Sequence, residues 1–463
     1  MGPTLVQEGA SVLGRRHALA AVLAAGALVV AGCSSGSPKA TVTKTVHPTG
    51  PTLLTVAVYG PPQVITAYAK IAADFTAKHP GTVVNVQPYD TATAAERALA
   101  SSIAAGDPPD AFLSPLDQLP GLEKAGSIRR LDQLLGERGV DFGDGYQRWA
   151  LEAYSSQNAL QCMPVDASPL VVYVNTDLVD MTKVTTPGGN PVTATGGWTL
   201  DEFATAARTA SVRGVKGVYV APTLEQIAPF LFSGGGKVVD DVDNPTTLTL
   251  GKGKDESSLE KLLELVRDPQ ATFSEQQIDK RSALARFKGG SLGMMLGYRD
   301  LTPELRDQQD LHFDVMPMPK VSGKATVGES NGLCLSSKSP HPSKTADFLA
   351  YAVSDDASTL LAQTGYTVPV NLDVVHSDSF LQAGQQPLNA AVFSANVRYI
   401  EQLPTVPAWS GVEAATTPLL TRLFYDPVID PLADRLTAID DASAALFVPP
   451  TPTATPTSSP SAN

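Results

Sequence analysis

The sequence is short of basic residues, of cysteine and of histidine, and each shortage excludes something. Lys and Arg number 34 against 47 Asp and Glu, a balance of −13. The cations are scattered, so nothing builds the basic stripe that neutralises phosphates, and no nucleic-acid partner is expected. An extended basic face lying on anionic lipid is excluded for the same reason. The three cysteines, Cys33, Cys162 and Cys334, form no Cys-x-x-Cys, and the six histidines show no His-x-x-x-His. A structural zinc site has no ligand set, and neither metal nor cofactor is expected. No fixed-period repeat suggests a solenoid. No apolar run reaches the ~20 residues that cross a bilayer. What is there is 43% hydrophobic and 17% charged, the balance of a globular protein. The length suits two or three domains.

Residues 1–32 read as an export signal: Arg15-Arg16, an alanine-rich apolar run from Ala18 to Ala31, then small residues. Val30-Ala31-Gly32-Cys33 resembles the lipobox of bacterial lipoproteins, with Val where Leu is usual. That resemblance implies that Cys33 becomes the first mature residue and carries a lipid, anchoring the chain to the outer face of the cytoplasmic membrane. Arg15-Arg16 is also similar to a twin-arginine signal, though Gly14 and His17 flank it poorly, so the export route stays open. Residues 33–52 and 449–463 are rich in Ser, Thr and Pro and read as a flexible tether and a disordered tail. With Cys33 acylated, Cys162 and Cys334 remain as an even pair in a compartment where a disulfide persists.

Between those segments strands and helices alternate. Residues 53–59 are β-rich and end at Gly60-Pro61-Pro62. From Gln63 to His79 the apolar Val64, Tyr68, Ile71 and Phe75 fall three or four apart, a helical face. A second strand over 82–87, a helix over 93–105 and a third strand over 110–113 follow. This order predicts an α/β sheet with parallel neighbours, whose ligands settle beyond the carboxyl ends of the strands. Tyr59-Gly60 and Ser114-Pro115-Leu116-Asp117 stand at that edge. Further on, 169–175 and 292–296 read as strands, and Thr199 with Glu202 has capping-box spacing at a helix start.

Three motifs are weighed and set aside. Gly289-Gly-Ser291-Leu-Gly293 matches the nucleophile elbow, but the helix precedes the Ser and the strand follows it, the reverse of what the elbow requires. Gly234-Gly-Gly236-Lys237 lacks the other residues of a P-loop. Asp240-Asp241-Val-Asp243-Asn244 has Thr246 where a calcium loop needs Gly, and reads as an exposed acidic turn. No nucleophile, base and orienting group occur together, so no enzyme is expected. Trp149 and Trp198 read as packing residues, whereas Trp409, after Pro404 and Pro407, suits either a ligand platform or the core.

The ordered elements resemble family 1 extracellular solute-binding proteins, the maltose-binding-protein-like receptors of ABC importers. The residues that carry the likeness are the lipobox and Gly106-Asp-Pro-Pro-Asp-Ala111, Met163-Pro-Val-Asp166 and Val172-Tyr-Val-Asn-Thr-Asp-Leu178. Gly197-Trp-Thr-Leu-Asp-Glu-Phe203, Phe287-Lys-Gly-Gly-Ser-Leu-Gly-Met294 and Gly365-Tyr-Thr-Val-Pro369 continue it in the same order. The resemblance implies a two-lobed α/β fold of the periplasmic-binding-protein type, closing on a ligand by hinge motion. Residues 53–166 and 327–376 would form one lobe, and 167–326 and 377–448 the other. Ligand contacts would fall at Tyr59, Ser114, Asp117, Asp166, Ser168, Thr223, Glu225, Tyr298, Arg299 and Trp409. Tyr298 and Trp409 would stack on sugar faces, while the polar groups and Arg299 would bond hydroxyls. The partners implied are a small polar ligand, most readily a carbohydrate, and a membrane permease with a separate ATPase. The chain would act as a monomer. The crossing segments that hold Cys162 and Cys334 would run side by side, which suits a disulfide, with two buried free thiols as the alternative. A structural or signalling lipoprotein and a secreted carbohydrate-active enzyme remain as other readings.

Overall fold

The computed structural model describes residues 50–212 and 214–448. The expected signal (1–32), the lipidation site Cys33, nearly all of the tether and the tail 449–463 lie outside the described residues.

The first sheet begins as its sequence predicts. Strand β1 (Thr52–Tyr59) pairs in parallel with β2 (Thr82–Tyr89) and with β3 (Ala111–Pro115). Helix α1 (Pro62–Lys78) makes the first crossover, with Pro in the first turn where its missing N–H costs nothing. Its Val64, Tyr68, Ile71 and Phe75 are buried against the sheet. Helix α2 (Ala92–Ala105) is capped by the Thr91 side chain accepting from Ala94 N, and stops at Gly106, whose φ of 80° is the left-handed conformation glycine adopts without strain.

In this sheet the parallel expectation holds only for these three strands. Short β4 (Ile128–Arg129) and β5 (Cys162–Pro164) both pair with a strand from far along the chain, β12 (Asn331–Ser336), which runs antiparallel beside β3. Between β5 and β12 in sequence lie β6 (Ser168–Pro169), β7 (Val171–Asn175), β8 (Lys216–Tyr219), β9 (Leu292–Gly297), β10 (Phe313–Met316) and β11 (Gly328–Glu329). Four of them build the second sheet, in the order β8-β9-β7-β10, with only β8 and β9 parallel. The expected strand over 169–175 is in fact two, β6 and β7. β6 belongs to a two-stranded ribbon with β11, through Gly328 opposite Pro169 and Glu329 opposite Ser168. This ribbon is where the chain leaves the first sheet and where it returns.

Cys162 and Cys334 stand directly opposite in the β5–β12 register and are disulfide-bonded, with their Cα atoms 4.3 Å apart. That matches the closer of the two antiparallel pair spacings. Both are fully buried. Beside them Gly332 admits no side chain, because a Cβ there would lie 2.6 Å from the Tyr154 ring.

Helix α3 (Leu200–Ala210) carries the full capping box expected of it, Thr199 with Glu202. Trp198 is buried, T-stacked on Phe203, and donates from Nε1 to Pro317 O at 2.9 Å. Trp149 is half-buried against the core. Helices α4 (Leu224–Gly234), α5 (Trp409–Tyr425) and α6 (Leu432–Phe447) complete the second half. Among the described residues no helix is long and apolar enough to cross a membrane.

Candidate functional site: a carboxylate-lined cleft at the crossing

The carboxyl end of β1, the crossing β5–β6, the return β11–β12 and the end of β9 converge on one cavity of about 190 Å³. Its wall contains four expected residues, Tyr59, Asp166, Ser168 and Tyr298, together with Asp300, Glu329, Asn331 and Tyr366, which the sequence reading missed.

A hydrogen-bonded chain fixes the first side. The Tyr59 hydroxyl donates to Asn331 Oδ1. Asn331 in turn gives its backbone N–H to Asp166 Oδ1 at 2.8 Å and its side-chain N–H to both Asp166 oxygens at 3.1 Å. Asp166 is 9% exposed, and burial raises its carboxyl to about 6 despite the Asn331 bonds. On the other side the Tyr298 hydroxyl donates to Glu225 Oε1 at 2.6 Å. Burial and then the Glu225 charge push the Tyr298 phenol well above its ordinary range, so it stays a donor. The Tyr298 carbonyl accepts from Tyr173, at 2.7 Å, which pins the chain just beyond β9.

Glu329 projects from the ribbon between these walls. It reaches solvent yet is crowded by protein on both sides, and this loss of hydration pushes its carboxyl up to about 8. Asp300, Glu225, Asp166 and Asp117 add to the rise, in that order. Burial also raises Asp300 and Asp117. Asp117 is exposed in the turn after β3.

Arg299 requires a correction. It is fully buried and turned away: Nε donates to Gly365 O at 3.1 Å and Nη2 to Phe380 O at 3.4 Å, with the guanidinium over the Phe380 and Phe393 rings. Its backbone N–H donates to Ser168 Oγ at 3.0 Å, so it shapes the crossing instead of bonding a ligand with its guanidinium. Five other expected residues are not in the cavity wall: Asp117 and Glu225, already placed, and Thr223, Ser114 and Trp409. Thr223 caps α4 by accepting from Gln226 N, and Ser114 lines a neighbouring apolar cavity beneath α2. Trp409 is 9% exposed at the start of α5 and packs with the second sheet's core.

The Ser291 segment is a helix stop, with Gly290 at φ 65° and Ser291 Oγ donating to Arg286 O. The Asp240 turn satisfies itself, Asp240 accepting from the N–H groups of Thr246 and Asp241.

Solved structures share this architecture. The sugar-binding protein MalE from Xanthomonas citri superposes with a TM-score of 0.73 at 16% identity, covering 86% of this chain and 97% of that one. The ABC substrate-binding protein Lmo0181 from Listeria monocytogenes, in complex with cycloalternan, gives 0.69 at 20% identity, covering 86% and 98%. The GacH receptor of Streptomyces glaucescens, solved unliganded and with acarbose, gives 0.67 at 17%, again covering 86% and 98%. At such identities the likeness establishes the two-lobed fold. A search of curated proteins returns no match. A family model described as bacterial extracellular solute-binding protein matches residues 70–387, more than half of the chain, and so the chain belongs to the bacterial extracellular solute-binding proteins.

Proposed function

We propose that this chain is the extracytoplasmic receptor of an ABC importer. It takes a small polar ligand, a carbohydrate, into the cleft at the crossing and delivers it to a membrane permease driven by a separate ATPase. It works as a monomer, held at the outer face of the cytoplasmic membrane by a lipid on Cys33, and turns over nothing.

The observation that carries the reading is the cavity itself. Tyr59, Tyr298 and Tyr366 offer apolar ring surface, and Asp166, Asn331 and Glu329 offer hydrogen-bond partners, in one enclosure. Flat C–H faces ringed by hydroxyls need that mixture. Contacts from both walls of the cleft favour its closed form, which is how occupancy becomes a signal for the permease. Similar folds carry sugar ligands: Lmo0181 with cycloalternan and GacH with acarbose.

A thermal-shift panel of mono- and oligosaccharides tests this. A ligand present at a hundred times its Kd stabilises by about 2.7 kcal/mol, a readily measured rise in Tm. A panel in which no carbohydrate raises Tm contradicts the reading.

A further inference from the structure

The charge of the cleft goes beyond what a neutral sugar calls for. Asp166, Asp300 and Glu329 line the cavity, and no Lys, Arg or His does. Three more carboxylates lie near enough to be felt there: Glu225, which accepts from the Tyr298 hydroxyl, and Asp117 both act on Glu329, and both also act on Glu413. None of these six is in an ion pair among the described residues. Arg299, next in sequence to the wall residue Tyr298, points its guanidinium the other way.

Neutral hydroxyls need one or two acceptors; they do not compensate clustered negative charge. Carboxylates held this close repel, and each loses hydration as the cleft narrows. The empty cleft lessens the repulsion by leaving Glu329 protonated, and a ligand cation would let Glu329 release that proton and serve as a carboxylate. The tyrosine rings of the wall, Tyr59, Tyr298 and Tyr366, suit an ammonium as well as a sugar face. An anionic ligand would meet repulsion from every side.

We propose that the ligand of this cleft carries a protonated amine, as an amino sugar does, with the Glu329, Asp300 and Asp166 carboxylates as its counter-ions. The proposal rests on the receptor reading above and specifies the ligand class for the same site. The shared chemistry, an alkylammonium, could also arrive on a linear polyamine without any sugar.

Isothermal titration of the exported chain separates these cases with three probes: the β-1,4-linked glucosamine disaccharide, its neutral counterpart cellobiose, and spermidine. The aminated disaccharide is expected to bind at least about tenfold tighter than cellobiose. Its advantage should shrink with added salt and in a folded Glu329→Gln variant. Spermidine binding with neither sugar binding upholds the amine and overturns the carbohydrate reading. Cellobiose binding as tightly as the aminated sugar overturns the amine and leaves the carbohydrate reading standing. An advantage that persists unchanged in both Glu329→Gln and Asp300→Asn overturns the assignment of the counter-ions, and no binding by either amine overturns the amine while the carbohydrate reading is decided by the thermal-shift panel.

Discussion

Replacing Cys162 and Cys334 together by Ala removes the disulfide without leaving a lone thiol. The bridge joins residues 172 apart, and the chain-entropy model gives about 5 kcal/mol for a loop of that length. The observed loss should be smaller, about 2–4 kcal/mol, because measured values fall short of the model. The strands themselves remain paired through Gly332 opposite Pro164 and Leu333 opposite Met163. Both sulfurs are fully buried, and Ala keeps their backbone and most of their packing. Urea unfolding is the assay, with the double variant compared against wild type with and without reductant. The midpoint should fall and the m-value rise, since the uncrosslinked denatured chain exposes more surface. Reduced wild type should coincide with the variant. Ligand affinity should be unchanged, because neither cysteine lines the cavity. A stability loss within ~0.5 kcal/mol, the range of ordinary surface substitutions, would refute the reasoning.

Glu329 sets a pH dependence whose sign is opposite to that of a salt-bridged acid. Its native carboxyl holds its proton to about 8 against an ordinary 4.5, so the unfolded chain releases that proton first and stability falls as pH rises between those values. Glu329→Gln should flatten the fall of Tm between about pH 5 and pH 8, and an unchanged slope would count against it. Arg299→Ala should cost about 2–5 kcal/mol by emptying its buried site, while Arg299→Met, which keeps the stem and removes the charge, should cost clearly less in chemical unfolding. Equal losses would show that the charge itself holds the fold. Gly332→Ala should cost about 1–3 kcal/mol, because the new Cβ meets a Tyr154 ring whose hydroxyl is tied to Ser114 O and Ser330 O. An unaltered Tm would show that the ring can give way.

What the sequence made legible was local. The run from β1 to β3 could be read because each apolar period, Thr91 cap and glycine stop acts within a few residues of itself. The insertion of β12 beside β3 could not, since Gly332 opposite Ser114 is a pairing across more than two hundred residues with no local mark. In the site, Tyr59, Asp166, Ser168 and Tyr298 were found because strand ends and crossings can be located from pattern and resemblance. Arg299 was misassigned for a related reason: a matched position fixes where the backbone goes, and one residue beyond Tyr298 the side chain points to the opposite side. Asp300 and Glu329 carry no periodicity at all. Glu329 was accessible only through the return crossing, whose start at residue 327 was expected and whose residues face Ser168.

A crystal structure of the chain bound to whichever carbohydrate raises Tm most tests the central claim directly. The ligand should lie in the cavity at the crossing, with a ring against Tyr298 or Tyr59 and a polar group bonded to Asp166 or Glu329, and the cleft should be narrower than it is without ligand. A ligand seated elsewhere on the chain, or one seated in the cleft without touching both walls, would contradict it.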